Sequence, residues 1–209
     1  VRVGDPHRQR RCTKELKGDS MKKIPTIFLR DFAGTIGAPG RMVTREPDPA
    51  CGWVFAGEGV ATRKYDGTCV LVRDDTHYKR YEVKKGGTPP AGFEPANDVD
   101  PETGKQQGWV LIGSGPEDKW HREALGDSLW GNGTFELIGP KVQGNPEKTA
   151  SHQFVPHSEA QVYPDFPRDF DGIKAALTGM DVEGVVFHHP DGRMAKIKKK
   201  DFGLPRCAI

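Results

Sequence analysis

Nine short runs limit the fold more than any other feature: residues 52–55, 59–63, 68–73, 78–83, 109–112, 134–138, 153–155, 182–188 and 194–198. Each is continuously apolar or alternates apolar with polar residues. Side chains of a strand alternate between the two faces of a sheet, so runs of this kind bounded by Gly, Pro and Asp read as strands. Helical signals occur in two places. Pro116, followed by Glu117 and Asp118, opens one helix that carries Trp120 and Leu125 and stops at Gly126. Pro167 opens the other, with Phe170, Ile173 and Leu177 on one stripe before Gly179. The pattern predicts an α+β fold: curved antiparallel sheets flanked by a few helices, with charged motifs at strand ends around one cleft.

Composition agrees. Hydrophobic content of 35% with 26 Gly and 17 Pro describes a loop-rich globular chain rather than a helical bundle. Residues 86–108, rich in Pro, Gly and acidic side chains, read as a long surface excursion. Residues 1–20 are basic and poor in large apolar side chains. They read as a disordered tail or a leader ahead of a start at Met21, in preference to a nucleic-acid-binding arm. Folding is expected to begin near Ile24, with residues 21–209 as a single domain.

No apolar stretch reaches the length of a membrane span or a signal-peptide core, which predicts a soluble protein not exported by that route. Cys12, Cys51, Cys69 and Cys207 are scattered, with no Cys-x-x-Cys. No disulfide framework is expected, Cys69 reads as a small hydrophobe in a strand, and the compartment reads as reducing and intracellular, that is cytoplasmic. His188 and His189 are neighbours on a strand and point to opposite faces, so structural zinc is not expected. Nothing calls for an obligate protein partner, and a monomer is expected.

The chemistry concentrates in four segments. Lys64-Tyr65-Asp66-Gly67 ends an expected strand at a Gly-containing turn. Glu136 lies in Phe135-Glu136-Leu137-Ile138-Gly139, and Glu183 in Glu183-Gly184-Val185-Val186. Lys196 and Lys198 alternate with Ala195 and Ile197, which projects both lysines from one face. From Glu183 onward there are six Lys/Arg against three Asp/Glu, although the net charge of the whole chain is only +2. A lysine attacks phosphorus only when neutral, and an ordinary lysine is neutral about once in a few thousand at pH 7. Burial and nearby cations are therefore expected to lower the Lys64 pKa.

In this order the four segments resemble the signature of covalent nucleotidyltransferases, which comprise RNA ligases, DNA ligases and mRNA-capping enzymes. More narrowly, the chain is similar to the small ATP-dependent 5′-3′ RNA ligases. The narrower likeness rests on Gly108-Trp109-Val110, Gly144-Asn145-Pro146, Val155-Pro156-His157 and residues 182–204, and the whole resemblance spans residues 53–205. It implies an ATP-grasp-like ligase domain with a nucleotide cleft and a reaction in three steps. Lys64 attacks the α-phosphate of ATP, giving lysyl-AMP and pyrophosphate. AMP then passes to an RNA 5′-phosphate, and an RNA 3′-hydroxyl displaces it to seal the strand.

The resemblance also assigns roles. Lys196 and Lys198 would neutralise phosphate charge, and Glu136 would bind the ribose hydroxyls, the other reading being a glutamate on a solvent face. Gly67 would let the backbone approach the nucleotide. Arg80 would contact the ribose or the 5′-phosphate, or else be a plain cross-strand charge. Glu183 and Asp66 would hold Mg²⁺ (or Mn²⁺) through water, or pair with the lysines. Lys84 and Lys85 would hold RNA phosphates, or be solvated loop lysines.

Two features depart from the family or bound it. Relatives frequently carry a glutamate directly before the nucleophile, where this chain has Arg63, which bears on the preference for ATP. Eleven residues follow Lys198, too few for the oligonucleotide-binding barrel of DNA ligases and capping enzymes. The rival readings are a minimal DNA ligase or capping-type enzyme, and a non-catalytic RNA- or nucleotide-binding module.

Overall fold

The computed structural model describes residues 23–206; the basic stretch 1–20, Met21, Cys12 and Cys207 lie outside the described residues. The elements follow in chain order as β1 (Phe28–Arg30), β2 (Val43–Pro47), α1 (Gly52–Phe55), β3 (Val60–Lys64), β4 (Thr68–Arg73), β5 (Thr76–Val83), β6 (Glu94–Pro95) and β7 (Gln106–Leu111). Then come α2 (Lys119–Leu125), β8 (Gly133–Ile138), β9 (Gln153–Pro156), β10 (Val162–Tyr163), α3 (Phe170–Gly179), β11 (Gly184–His188) and β12 (Met194–Lys198). Strands β10-β3-β11-β12 form one sheet and β6-β7-β5-β4-β8-β9 another, with β1-β2 as a separate pair. Every named strand pair is antiparallel, so the fold is mixed α and β with mostly antiparallel sheets and few helices.

The four-stranded sheet shows why period two matters here. Ala61, Val185, Phe187, Ala195 and Ile197 face inward and pack with Ile173 and Leu177 of α3, and with Phe28, Trp53 and Phe202. The intervening residues, Thr62, Lys64, Val186, Lys196 and Lys198, are thereby turned to the other face. The outer edge of β12 is covered rather than open. Ile27 N–H donates to Lys196 O at 3.0 Å, and Lys196 N–H to Pro25 O at 2.9 Å.

The six-stranded sheet buries Val70, Val72, Phe135 and Leu137 against Phe154, Val142 and Ala124 of α2. Its opposite face packs Leu71, Tyr78 and Trp109 together, with Cys69 beside them. Asp74 and Asp75, both at positive φ (50° and 58°), turn β4 into β5. A two-residue hairpin with both centres left-handed is the turn whose twist matches paired strands.

Local signals explain both successes and corrections. Pro116 starts a 3₁₀ turn that runs into α2, and Gly126 ends it at φ 51°. The Asp169 side chain accepts from Gly172 N–H at 2.9 Å and caps α3, which starts three residues after Pro167. Residues 52–55 form a helical turn rather than a strand. Asp48 caps the preceding Pro49–Cys51 turn by accepting from Ala50 N–H at 2.9 Å, and the proline start overrides the apolar run. The excursion 86–108 contributes the edge strand β6 and the start of β7. Among the described residues, no helix is long and apolar enough to cross a membrane, and Cys51 and Cys69 are both free thiols.

Leu177 is fully buried in the core beneath the four-stranded sheet. Leu177→Ala is expected to lower unfolding stability by about 2–4 kcal/mol in urea titrations. Leu129→Ala, at a fully exposed position, should leave the midpoint unchanged. Equal effects of the two substitutions would contradict this assignment of the core.

Candidate functional site

The chain leaves the four-stranded sheet at Lys64 and enters the six-stranded sheet at Thr68. Tyr65-Asp66-Gly67 is the whole crossing. A Cβ on Gly67 would lie 2.1 Å from Leu137 O and 2.9 Å from Glu136 Cγ, so only glycine fits. This contact puts the end of β3 against β8, and Gly67 N–H donates to Glu136 Oε1 at 3.0 Å. Glu147 secures the turn from outside, accepting from Asp66 N–H at 2.8 Å and from Arg63 at 2.6 Å.

Strand register does the rest. Gly184 opposes Lys64 on one side and Lys198 on the other, so both lysines share a row, with Glu183 directly beside it. Lys64 Nζ lies 2.5 Å from Glu183 Oε2, and Lys198 Nζ donates to Glu183 Oε1. Lys199 N–H holds the Glu183 carbonyl at 2.9 Å. Lys64, Asp66, Gly67, Glu183 and Lys198 line one cavity of about 400 Å³. Lys200 and Arg206 line it too. Arg206 grips both oxygens of Asp66, with Nη2 to Oδ1 at 2.6 Å, and donates to Gln143 O at 3.1 Å.

Electrostatics corrects the expectation for Lys64. Burial pulls its pKa down, but Glu183, then Glu136 and Asp66, push it up, and the net shift is upward. A carboxylate stands between Lys64 and Lys198 and bonds both ammoniums. Glu183 answers in kind: burial raises its pKa, Lys64 and Lys198 lower it, and the lowering prevails. The depressed lysine is Lys196, brought down to about 7 by burial and then by Lys198 and Lys64. Lys198 is lowered as well, first by burial and then by Lys64.

Glu136 is buried rather than solvent-facing. Its Oε2 meets His157 Nε2 at 3.0 Å, and His157 Nδ1 meets Thr134 Oγ1 at 3.0 Å. Arg80 opposes Trp109 in register, lies 4.8 Å from the indole centroid and donates to Gln107 Oε1 at 3.2 Å. Burial lowers the Arg80 pKa, and the Cys69 thiol raises it in part. Lys84 and Lys85 sit apart, exposed in the turn that follows β5.

The structure therefore brings together Lys64, Asp66, Gly67, Glu136, Glu183, Lys196 and Lys198, with Arg80 on the adjoining face. Asp66 pairs with Arg206 rather than with a lysine. Neither Glu183 nor Asp66 offers magnesium an unengaged oxygen, because two ammonium groups close the first and one guanidinium the second. The protein alone does not fit that ion. Arg206 and Glu147 went unrecognised as site residues, since each acts from irregular chain with no periodic signal, and His157, though in the quoted Val155-Pro156-His157, was assigned no role. No family model matches the chain, and no curated protein matches it.

The Lys196 shift has a direct consequence for stability. Its folded pKa of about 7 lies below the ordinary lysine value of 10.5, so between these limits the unfolded chain binds more protons. Stability from this group then rises with pH across that window, and the full burial penalty applies below pH 7. Lys196→Met should melt a few degrees above the parent protein at pH 6.5, with the gap narrowing by pH 9. A gap independent of pH in scanning calorimetry would refute the buried-cation account.

Proposed function

We propose that the protein is an ATP-dependent RNA ligase that joins RNA 5′-phosphate and 3′-hydroxyl ends through a lysyl-AMP on Lys64. One observation carries the reading: three segments far apart in sequence line one cavity with Lys64, Glu183 and Lys198, and Glu136 of the fourth is one hydrogen bond away through Gly67. ATP, magnesium and RNA belong to the reading through the sequence resemblance, as does the nucleotidyltransferase fold. What the chain itself supplies can be followed group by group.

Nucleotidyl transfer depends on charge neutralisation at phosphate oxygens and on in-line placement of the nucleophile. Lys198, Lys196 and Arg206 are the cations for the phosphates. Lys64, fixed by the short crossing from β3 to β4, is the nucleophile: its nitrogen forms a bond to the α-phosphorus while pyrophosphate leaves. Glu136, held by Gly67 N–H and His157, is the carboxylate placed for ribose hydroxyls. The Lys64 proton must leave before attack, and Glu183 holds it in place. Adenylylation should therefore accelerate as pH rises above neutrality.

The decisive experiment incubates the protein with α-labelled ATP and magnesium. One AMP should attach per chain, the modified peptide should map to Lys64, and Lys64→Ala should abolish labelling. Sealing should then favour nicks or ends containing RNA. Preference for an all-DNA nick would move the assignment to a minimal DNA ligase. Failure to take label from any nucleotide would favour the binding-module reading.

A further inference from the structure

Beside the lysine cavity, on the six-stranded sheet, three metal-binding side chains converge that no sequence spacing joins. Cys69 on β4 and Glu136 on β8 are direct cross-strand partners. Val155 on β9 opposes Glu136 on its other side, and His157 follows two residues later. One ligand atom from each of the three lies within 4.8 Å of the others. We propose that Cys69, Glu136 and His157 form a binding site for a thiophilic divalent cation, zinc foremost.

Tetrahedral zinc with sulfur, nitrogen and oxygen ligands at about 2.0–2.3 Å spaces its donors about 3.3–3.6 Å apart. The His157–Glu136 pair at 3.0 Å is already that close. From the 4.8 Å limit, closing to that spacing takes a shift of up to about 1.5 Å, within reach of side-chain rotations on rigid strands.

The groups behind the ligands are also arranged as in metal sites. His157 Nδ1 is held by Thr134 Oγ1 at 3.0 Å, which leaves Nε2 toward the cluster. Glu136 Oε1 accepts from Gly67 N–H at 3.0 Å, and Oε2 faces His157 Nε2 at 3.0 Å, so the metal would take the place of that one contact. Metal-ligating histidines and carboxylates are oriented by such outer hydrogen bonds.

The thiolate offsets part of the metal's charge. Arg80 and Lys64 both act on the Cys69 thiol, and two nearby cations would oppose a bare divalent ion. Exchanging the thiol proton for zinc takes the cluster from −1 to zero, a rise of one unit where an ion without thiolate would add two. Without metal, burial and then Glu136 hold the thiol protonated well above its ordinary pKa. Binding accordingly releases a proton from sulfur to solvent as the metal–sulfur bond forms. A mixed sulfur, nitrogen and oxygen set selects zinc or cobalt over magnesium and calcium, which prefer oxygen alone.

The metal site stands independently of the ligase reading. One consequence does rest on that reading: Glu136 cannot serve zinc and a ribose at once, so zinc would exclude nucleotide.

The test uses the full chain with cobalt(II) as the probe and no nucleotide present. One equivalent should produce a thiolate-to-cobalt charge-transfer band that equimolar zinc bleaches and excess magnesium leaves intact. Cys69→Ser should abolish the band, and His157→Gln should weaken zinc binding by about tenfold or more. A chain with Cys12→Ser and Cys207→Ser should keep the band. Should Cys69→Ser misfold by circular dichroism, the His157→Gln titration decides. Absence of the band in the parent protein, its survival in folded Cys69→Ser, or unchanged zinc affinity in His157→Gln would each overturn the proposal.

Discussion

Everything in the cleft depends on one close approach, Gly67 against the backbone of β8. With a Cβ 2.1 Å from Leu137 O, no other residue leaves that contact in place. The three residues from Tyr65 to Gly67 can therefore join two sheets with almost no slack. Lys64 must end at the seam between the sheets, Glu136 must lie one hydrogen bond away, and β11 and β12 must bring Glu183 and Lys198 alongside through register. Glu147 and Arg63 brace the same turn from its outer side. Positioning of this kind costs no substrate-binding energy, because the sheets set it during folding.

Burying several lysines together is expensive, and the structure offsets the cost unevenly. Two unit charges 4 Å apart interact by about 4 kcal/mol at the effective dielectric of a protein surface. Glu183 spends both oxygens on Lys64 and Lys198, which keeps those two ammoniums in place. Lys196 sits outside that pair and carries the strain as a pKa of about 7. The same arrangement explains why the Lys64 pKa is raised. Its nearest neighbour is an anion, and the cations that were expected to expel its proton lie beyond that anion.

Period two made most of the fold legible. Alternation in β12 placed Lys196 and Lys198 opposite Ala195 and Ile197, and the latter two are fully buried. The stripe of Ile173 and Leu177, with Pro and Gly punctuation, showed α3 and α2. The strands β1 and β2 escaped notice because they are short and each has a single buried position, so burial leaves little pattern in them. Residues 52–55 misled because four apolar positions fit a strand or one helical turn equally well; only the Asp48-Pro49 start separates the two. Of the site, the residues on strands or at their ends were readable. Arg206 and Glu147, which engage Asp66 across 140 and 81 positions, were not. Nor could any pattern show that Glu183 would stand between two lysines, since that follows from the register of three strands.

Charge accounting shows what the cleft lacks. Lys64, Lys198, Lys200 and Arg206 line the cavity with Glu183 and Asp66, Lys196 lies one strand step from Lys198, and Glu136 is tied to Gly67 N–H and His157 on the adjoining sheet. Every carboxylate there is engaged, while the Lys196 pKa is depressed first by burial and then by the cations Lys198 and Lys64. A neutral ligand would leave that imbalance untouched, and a free divalent cation at the lysines would worsen it. An anion with several oxygens would relieve it, restoring protonation to Lys196 as it binds. The phosphates of the proposed nucleotide would meet that demand.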